Sequence, residues 1–167
     1  MKRVIVIGSG GAGKSTLARA LGEQLGLPVV HLDAQFWQAG WVELDKTDWL
    51  EWQRNALLEP CWIMDGNYGG TMDLRLEAAD TVIFLDLPPA LCVARALWRA
   101  VRYWGRTRPD MAADCPERLD LNFLRWIWNY PRNNRPVILE KLSRLEGTRV
   151  LRLQSAGAVR RFLTKIS

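Results

Sequence analysis

The glycine-rich stretch VIVIGSGGAGKST constrains this chain more than any other segment. Its glycines Gly8, Gly10 and Gly13 match G-x-G-x-x-G, a pattern that is typical of dinucleotide-binding turns. Read with Lys14 and Ser15, the same stretch matches G-x-x-x-x-G-K-[ST], the phosphate-binding P-loop. Both patterns join a buried strand to a helix whose N-terminus attracts phosphate. The first pattern implies a redox cofactor, and the second implies a nucleoside triphosphate.

The Lys–Ser pair favours the P-loop. Lys14 at the helix start is positioned to neutralise phosphate charge, and Ser15 offers a hydroxyl to Mg²⁺. A dinucleotide-binding turn needs neither side chain, although Asp33 has the position of its ribose-binding carboxylate, about 20 residues further on. We therefore predict a site for ATP and Mg²⁺. Its predicted P-loop residues are Gly8, Ser9, Gly10, Gly11, Ala12, Gly13, Lys14, Ser15 and Thr16.

Short apolar runs alternate with helical patterns along the whole chain. Strands are predicted over 3–7, 29–33, 61–65, 81–86 and 149–153, and helices over 14–25, 46–58, 89–103, 116–145 (interrupted near Pro131) and 156–166. This alternation predicts an α/β domain with a mostly parallel sheet. No repeat or linker interrupts the 167 residues, so a single domain, 1–167, is expected. Ligands of such sheets bind at the carboxyl ends of the strands.

Composition and length narrow the function classes. The three cysteines lack C-x-x-C spacing, and no apolar run reaches the roughly 20 residues that span a bilayer, so a soluble cytoplasmic protein without a membrane partner is expected. The net charge of +5 suits either nucleic acid or a small anionic substrate. The guanine-reading motif N-K-x-D of GTPases is missing, since the nearest string, DKTD, lacks the Asn and lies too early. The length suits a small-molecule kinase.

Several segments also carry a family resemblance. They are GSGGAGKSTLARALGEQL, HLDAQFWQAGW, IMDGNYGGTMDLRLEAADTVIFLDLP and RTRPDMAADCPERLDLNFLRWIWNYPRNNRP. Over nearly its whole length the chain resembles the DNA topology modulation (FlaR-like) proteins, which are adenylate-kinase-related P-loop proteins. The resemblance implies the nucleoside-monophosphate-kinase fold: five parallel strands in the order 2-3-1-4-5, flanked by helices, with a helical lid.

Two functions remain open at this point. The first is ATP- and Mg²⁺-dependent phosphotransfer to a small acceptor, with a nucleotide slightly favoured over other metabolites. The alternative is a P-loop ATPase with a regulatory role in DNA topology that binds nucleic acid or a protein partner. No helix-turn-helix or other DNA-reading pattern is evident, which favours the kinase. The oligomeric state is not indicated by any pattern.

Two carboxylates are candidates for the metal. Asp65 and Asp86 each end an apolar run at the expected sheet edge, and sequence alone does not rank them. Related kinases carry an Asp-Gly pair where this chain has Asp65 and Gly66. On that resemblance we predict that Ser15 and Asp65 hold Mg²⁺.

The acceptor is expected between the second and third strands, under a flap formed by residues 34–58. Asp33 is positioned to orient or deprotonate an acceptor hydroxyl. A phosphate acceptor needs no base and would need cations instead, for which Arg75 is the best candidate. His31 is expected to be structural. The predicted acceptor contacts are Asp33, Trp37, Asn67, Tyr68 and Arg75.

An arginine-rich region at about 95–130 is predicted to form the lid. Arginines at 95, 99, 102 and 106 are spaced 4, 3 and 4 residues apart, which places them on one helix face. Arginines stabilise the transferring phosphoryl group in kinases, whereas the alternative is a solvated basic face. The predicted catalytic residues are Lys14, Asp33, Arg102, Arg106 and Arg108.

The loop after the last strand is predicted to contact the adenine of ATP. In the resembling fold this contact is made largely by the backbone, and here the candidates are Gln154 and Ser155. A serine directly before a helix also caps its N-terminus. The cap is the alternative role for Ser155.

Overall fold

The apolar run before the glycine-rich turn forms the middle strand of a parallel sheet. The computed structural model describes residues 1–166. Its strands are β1 (Arg3–Gly8), β2 (Val29–His31), β3 (Trp37–Gln38), β4 (Val42–Glu43), β5 (Trp62–Asp65), β6 (Thr81–Leu85) and β7 (Arg149–Leu153). Five of them form one parallel sheet in the order β2-β5-β1-β6-β7. Counted along the chain within this sheet, that is the predicted 2-3-1-4-5 order, and the predicted fold is confirmed.

Helices cover both faces of the sheet. They are α1 (Lys14–Leu25), α2 (Leu32–Phe36), α3 (Lys46–Leu57), α4 (Met72–Ala78), α5 (Pro89–Arg102), α6 (Leu121–Asn133), α7 (Arg135–Ser143) and α8 (Ala156–Thr164). Side chains of β1 alternate between the two faces: Val4 and Val6 join a core with α1 and α5, and Ile5 and Ile7 join one with α4 and α7. Burial on both faces explains why this strand is continuously apolar.

The second strand is shorter than the sequence predicts. β2 ends at His31, and Asp33 lies in the first turn of α2 instead of at a strand end. The buried side chain of Leu32 holds this turn against the core. Asp33 still reaches the carboxyl edge of the sheet, because α2 starts directly where β2 stops.

The helical region predicted over 116–145 is also different. α6 begins at Leu121, because the Asp120 carboxylate caps it by accepting hydrogen bonds from two backbone amides at 2.8 and 3.1 Å. Pro131 lies inside α6, and the break before α7 falls at Asn134. Residues 103–120, called the lid segment below, form turns with two isolated bridges in place of a helix.

A small antiparallel hairpin, β3–β4, was not predicted. Its two-residue strands are too short to show alternation, and its turn uses left-handed backbone at Gly40 (φ +76°) and Trp41 (φ +65°). Residues 37–43 are called the hairpin below. Within residues 1–166, the helices all fall short of the length and apolar character needed to cross a bilayer.

Candidate active site

A large cavity lies at the carboxyl edge of the sheet, where ligands of α/β folds bind. Its volume is about 1310 Å³. It contains most of the predicted site residues. Those that line it are Gly10, Gly11, Ala12, Gly13, Lys14, Ser15, Thr16, Asp33, Trp37, Asn67, Tyr68, Arg102 and Arg108. Of the other predicted residues, Asp65 is hydrogen-bonded to Ser15. Those that do not line the cavity are Gly8, Ser9, Asp65, Arg75, Arg106, Gln154 and Ser155.

The P-loop connects β1 to α1. Gly13 caps α1 with left-handed backbone (φ +94°), and Gly11 packs against the carbonyl of Cys92, where no side chain would fit. The Ser9 carbonyl accepts hydrogen bonds from Lys14 Nζ at 3.0 Å and from a loop amide at 3.2 Å. Within residues 1–166, the Ser9 hydroxyl is buried without a hydrogen-bond partner. A loop of this form at a helix N-terminus binds phosphate.

Lys14 is a cation between two carboxylates. Burial lowers the pKa of Lys14, and the nearby carboxylates of Asp33 and Asp65 oppose that shift. Asp33 is the stronger of the two opposing charges. The ammonium group is bonded to the phosphate loop and borders the same cavity as Asp33, and a transferring phosphoryl group needs positive charge of this kind.

The metal side of the site favours Asp65 over Asp86. Ser15 Oγ donates a hydrogen bond to Asp65 Oδ2 at 2.7 Å, and His31 Nδ1 donates to Asp65 Oδ1. This bond raises the pKa of His31 against the effect of its burial. Asp86 is instead engaged by Arg152, whose Nε donates to it at 2.9 Å.

The oxygen donors at Ser15 and Asp65 fit Mg²⁺, which prefers hydroxyl, carboxylate and water ligands. Among residues 1–166 no group of three or more His, Cys, Asp or Glu side chains forms a metal cage. A Mg²⁺ ion here would therefore take most of its ligands from phosphate oxygens and water, as this ion usually does in kinases.

Asp33 is held by an aromatic cluster at the acceptor end of the cavity. The Tyr68 hydroxyl donates a hydrogen bond to Asp33 Oδ1 at 2.7 Å. Burial, together with the Asp33 charge, raises the pKa of Tyr68, so the phenol stays a donor. Phe36 contacts Tyr68 with ring centroids 4.7 Å apart, and the buried Trp49 contacts it at 5.1 Å.

The prediction that Arg75 contacts the acceptor is wrong. Its side chain is fully buried and does not face the cavity. Arg75 donates hydrogen bonds to the carbonyls of Gly66 at 2.9 Å, Tyr68 at 3.0 Å, and Asn67. Because its terminal nitrogens are bonded to the backbone of residues 66–68 and the side chain has no exposed surface, the guanidinium is not available to an acceptor phosphate.

Asn67 bonds to the P-loop, in contrast to its predicted acceptor role, although it also borders the cavity. Its Nδ2 donates to the Gly8 carbonyl at 2.9 Å, and the Gly8 amide donates back to its Oδ1 at 3.0 Å. This pair joins the end of β5 to the start of the P-loop. Asn67 therefore connects the acceptor side of the sheet to the phosphate side.

The predicted arginine group divides into three environments. Arg108 is largely buried, donating to Asp110 at 2.7 Å and pairing with Glu117 at 2.5 Å, and Arg99 donates to Glu117 at 3.3 Å. Arg102 lies over the Trp98 ring at 5.1 Å and borders the cavity. Arg106 is exposed and outside the cavity, so its predicted catalytic role is not supported by its position.

Sequence reasoning missed Glu117 and Asp110, the carboxylates that orient these arginines. Both are more than nine-tenths buried and line the cavity. Burial lowers the pKa of Arg99, the Arg108 charge lowers it further, and Glu117 counteracts both. The sequence shows acidic residues interspersed among these arginines, but it does not show which acidic side chain pairs with which arginine.

The hairpin is hydrogen-bonded to the lid segment across the cavity opening. The Gly40 amide donates to the Asp114 carbonyl at 2.9 Å, and Trp41 Nε1 donates to the Pro116 carbonyl at 3.1 Å. The Arg118 guanidinium also lies 5.6 Å from the Trp41 ring centre. The predicted flap and the predicted lid thus meet in this structure.

The adenine prediction at the end of β7 is not supported. Ser155 Oγ accepts from the Ala158 amide at 3.1 Å, which is the capping role that was its alternative. Gln154 is exposed and outside the cavity. The wall in this region comes from the first turns of α8, through Ala156 and Val159.

Comparison with known proteins identifies the fold. No protein-family profile matches the sequence, and no curated protein matches it. Shikimate kinase from Acinetobacter baumannii, solved in complex with shikimate, superposes with a TM-score of 0.65 at 16% identity, over 99% of this chain and 90% of that chain. A gluconokinase from Sinorhizobium meliloti 1021 superposes with a TM-score of 0.56 at 18% sequence identity, over 99% of this chain and 91% of that chain. Shikimate kinase from Bacteroides thetaiotaomicron superposes with a TM-score of 0.55 at 16% sequence identity, over 99% of this chain and 95% of that chain. At these identities the similarity concerns the fold, and the resemblance to DNA topology modulation proteins stays a prediction. The chain has the fold of P-loop kinases.

Proposed function

We propose that this protein transfers the γ-phosphoryl group of ATP to a hydroxyl of a small acceptor. The observation that carries the proposal is the convergence of Lys14, Ser15 and Asp33 on one cavity. The P-loop supplies a phosphate site, and a carboxylate faces it from the other side. The names of the similar structures, shikimate kinase and gluconokinase, also favour a small-molecule acceptor.

The donor half of the cavity has the groups that phosphoryl transfer needs. Loop amides and Lys14 would bind the β- and γ-phosphates, and Ser15 and Asp65 would hold Mg²⁺. Bound Mg²⁺ supplies neutralisation of the phosphate charge. Arg99 and Arg108, oriented by Glu117, provide further donors at the cavity wall. Fixed donors of this kind stabilise charge that develops in the transition state.

Asp33 is the base in this scheme. Its carboxylate accepts the proton of the acceptor hydroxyl, whose oxygen forms the new bond to the γ-phosphorus. The bond between that phosphorus and the β–γ bridging oxygen breaks, and ADP leaves with the electron pair. The hydrogen bond from Tyr68 holds Asp33 in place while leaving its second carboxylate oxygen for the acceptor.

The burial of Arg75 changes the preferred acceptor. The sequence slightly favours a nucleotide, whose phosphate would need cations in the acceptor end. Arg75 was the best such cation, and its donors are used by backbone carbonyls. An acceptor hydroxyl needs only the carboxylate of Asp33. We therefore propose hydroxyl compounds, nucleosides included, ahead of nucleoside monophosphates.

One surface feature favours the alternative, a P-loop ATPase with a regulatory nucleic-acid or protein partner. Trp98 and Trp104 are 62% and 65% exposed. Arg102 lies over the Trp98 ring, and the exposed Arg106 follows Trp104 by two positions. Exposed aromatic rings with neighbouring cations bind single-stranded nucleic acid. The assay below therefore includes nucleic acid as a possible stimulant.

The test is ADP release from Mg-ATP across a panel of sugars, hydroxy acids, nucleosides and nucleoside monophosphates. Turnover that depends on a hydroxyl acceptor, with the phosphorylated product identified by mass spectrometry, supports the proposal. Lys14→Met is the control, since it removes the phosphate-binding cation. Slow turnover that only DNA or RNA stimulates would instead support the alternative.

A further inference from the structure

Arg75 is the most deeply buried cation of the described chain. Its side chain has no exposed surface, and among residues 1–166 no carboxylate forms an ion pair with it. Burial lowers its pKa to about 10, which leaves it charged at neutral pH. A buried charge is unfavourable unless its surroundings compensate it with hydrogen bonds. Here the two terminal nitrogens donate to the backbone carbonyls of Gly66, Asn67 and Tyr68, and within residues 1–166 Nε is buried without a hydrogen-bond partner.

Those three carbonyls belong to the loop that joins the two halves of the cavity. Asn67 is hydrogen-bonded in both directions to Gly8 at the start of the P-loop. Tyr68 is hydrogen-bonded to Asp33, the proposed base. Tyr68 also has left-handed backbone (φ +39°), which is unfavourable for a residue with a side chain. The loop therefore needs an external support to keep this conformation.

We infer that Arg75 is a positioning residue that fixes the backbone of residues 66–68. This one loop then determines the positions of both the P-loop and Asp33. The planar guanidinium of Arg75 reaches three consecutive carbonyls at once, which the single ammonium of a lysine does not do. This inference rests on the proposed function for its catalytic consequence, because Arg75 itself does not border the cavity. Its structural part, the position of Tyr68 and of the P-loop, stands on the contacts alone.

The structural part is tested without an acceptor, by ¹⁹F NMR on the full chain labelled with 3-fluorotyrosine. The chain has three tyrosines, Tyr68, Tyr103 and Tyr130, and the Tyr68 signal is the one missing from Tyr68→Phe. We expect Arg75→Met, and to a smaller extent Arg75→Lys, to displace the Tyr68 signal while the signal of Tyr103, in the lid segment, stays in place. Both variants should also weaken MgADP binding by about tenfold, since the Asn67 contact to Gly8 is loosened.

Arg144→Met is the matched control, because that arginine is 72% exposed and pairs with Glu140, four positions earlier on the surface of the chain. It should change neither readout. If Arg75→Met does not fold, Arg75→Lys decides the outcome. An unmoved Tyr68 signal together with unchanged MgADP affinity in the folded Arg75 variants overturns the inference.

The catalytic part uses the acceptor with the highest turnover in the panel. Arg75→Lys should lower kcat by about 10- to 100-fold, the effect expected of a reacting group displaced by about 1 Å. If Arg75 acts through Tyr68, the same substitution should have a much smaller effect in the Tyr68→Phe background. Equal factors in both backgrounds would contradict this. A panel without any acceptor would refute the proposed function and leave the NMR and MgADP results to decide on Arg75.

Discussion

Replacing Gly11 by alanine tests how the P-loop is supported. Gly11 has φ of +71°, and a Cβ added there would lie 2.1 Å from the Cys92 carbonyl oxygen of α5. An ordinary contact of 3.4 Å requires the loop or the helix to move by about 1.3 Å. The left-handed backbone costs alanine about 1–2 kcal/mol, and overpacking adds about 1–3 kcal/mol. We expect Gly11→Ala to lower the free energy of unfolding by about 2–5 kcal/mol.

Gly26→Ala is the matched control, because Gly26 has a similar φ of +65° but no atom within 4 Å of the added Cβ. It isolates the backbone strain, so Tm should fall by about 2–8 °C, against about 4–20 °C for Gly11→Ala. Calorimetric titration should give Mg-ATP binding about 10- to 100-fold weaker in Gly11→Ala, the effect of losing one charged hydrogen bond. Equal Tm losses and equal ATP affinities in the two variants would refute the claim that α5 supports the loop.

Three further predictions concern the cavity. Mg-ATP at about 100 times its Kd should stabilise the fold by about 2.7 kcal/mol in a thermal-shift assay, and NADH should not stabilise it. Stabilisation by NADH and not by Mg-ATP would contradict the P-loop assignment. Arg108→Ala should lower kcat by about 10²–10³, while the exposed Arg106→Ala stays near wild type, and equal kinetics in both would remove the lid arginines from the mechanism. Trp41→Phe, which deletes the bond to Pro116, should raise the acceptor KM about two- to tenfold in steady-state assays, and an unchanged KM would mean that the hairpin does not shape the acceptor end.

The phosphate half of the site was predictable because its information is local. The P-loop motif fixes four residue types within eight positions. The strand before it, β1, is recognisable as a continuous apolar run, because it is buried on both faces. Parallel strands end at the same edge of the sheet, which placed both Asp65 and Asp86 near the P-loop, and the Asp-Gly pair of the resembling kinases favoured Asp65. Its hydrogen bond to Ser15 is a consequence of β1 and β5 being neighbours.

The acceptor half was less predictable because it depends on side-chain direction and long-range contacts. Nothing in the sequence around Arg75 tells whether its guanidinium turns to the cavity or inward to the backbone of residues 66–68. The same holds for Glu117 of the irregular lid segment, whose partners are Arg99 in α5, 18 positions away, and Arg108, 9 positions away. The hairpin was not predicted because strands of two residues are too short to show an alternation of apolar and polar side chains.

The most direct test of the central claim is the turnover of Asp33→Asn with the best hydroxyl acceptor. The amide keeps the size of the side chain and its contact to Tyr68, but it does not accept the acceptor proton. We expect kcat to fall by about 10²–10⁴ while the ATP affinity stays near wild type. Turnover within about threefold of wild type, or a nucleoside monophosphate as the preferred acceptor, would contradict a hydroxyl kinase with Asp33 as its base.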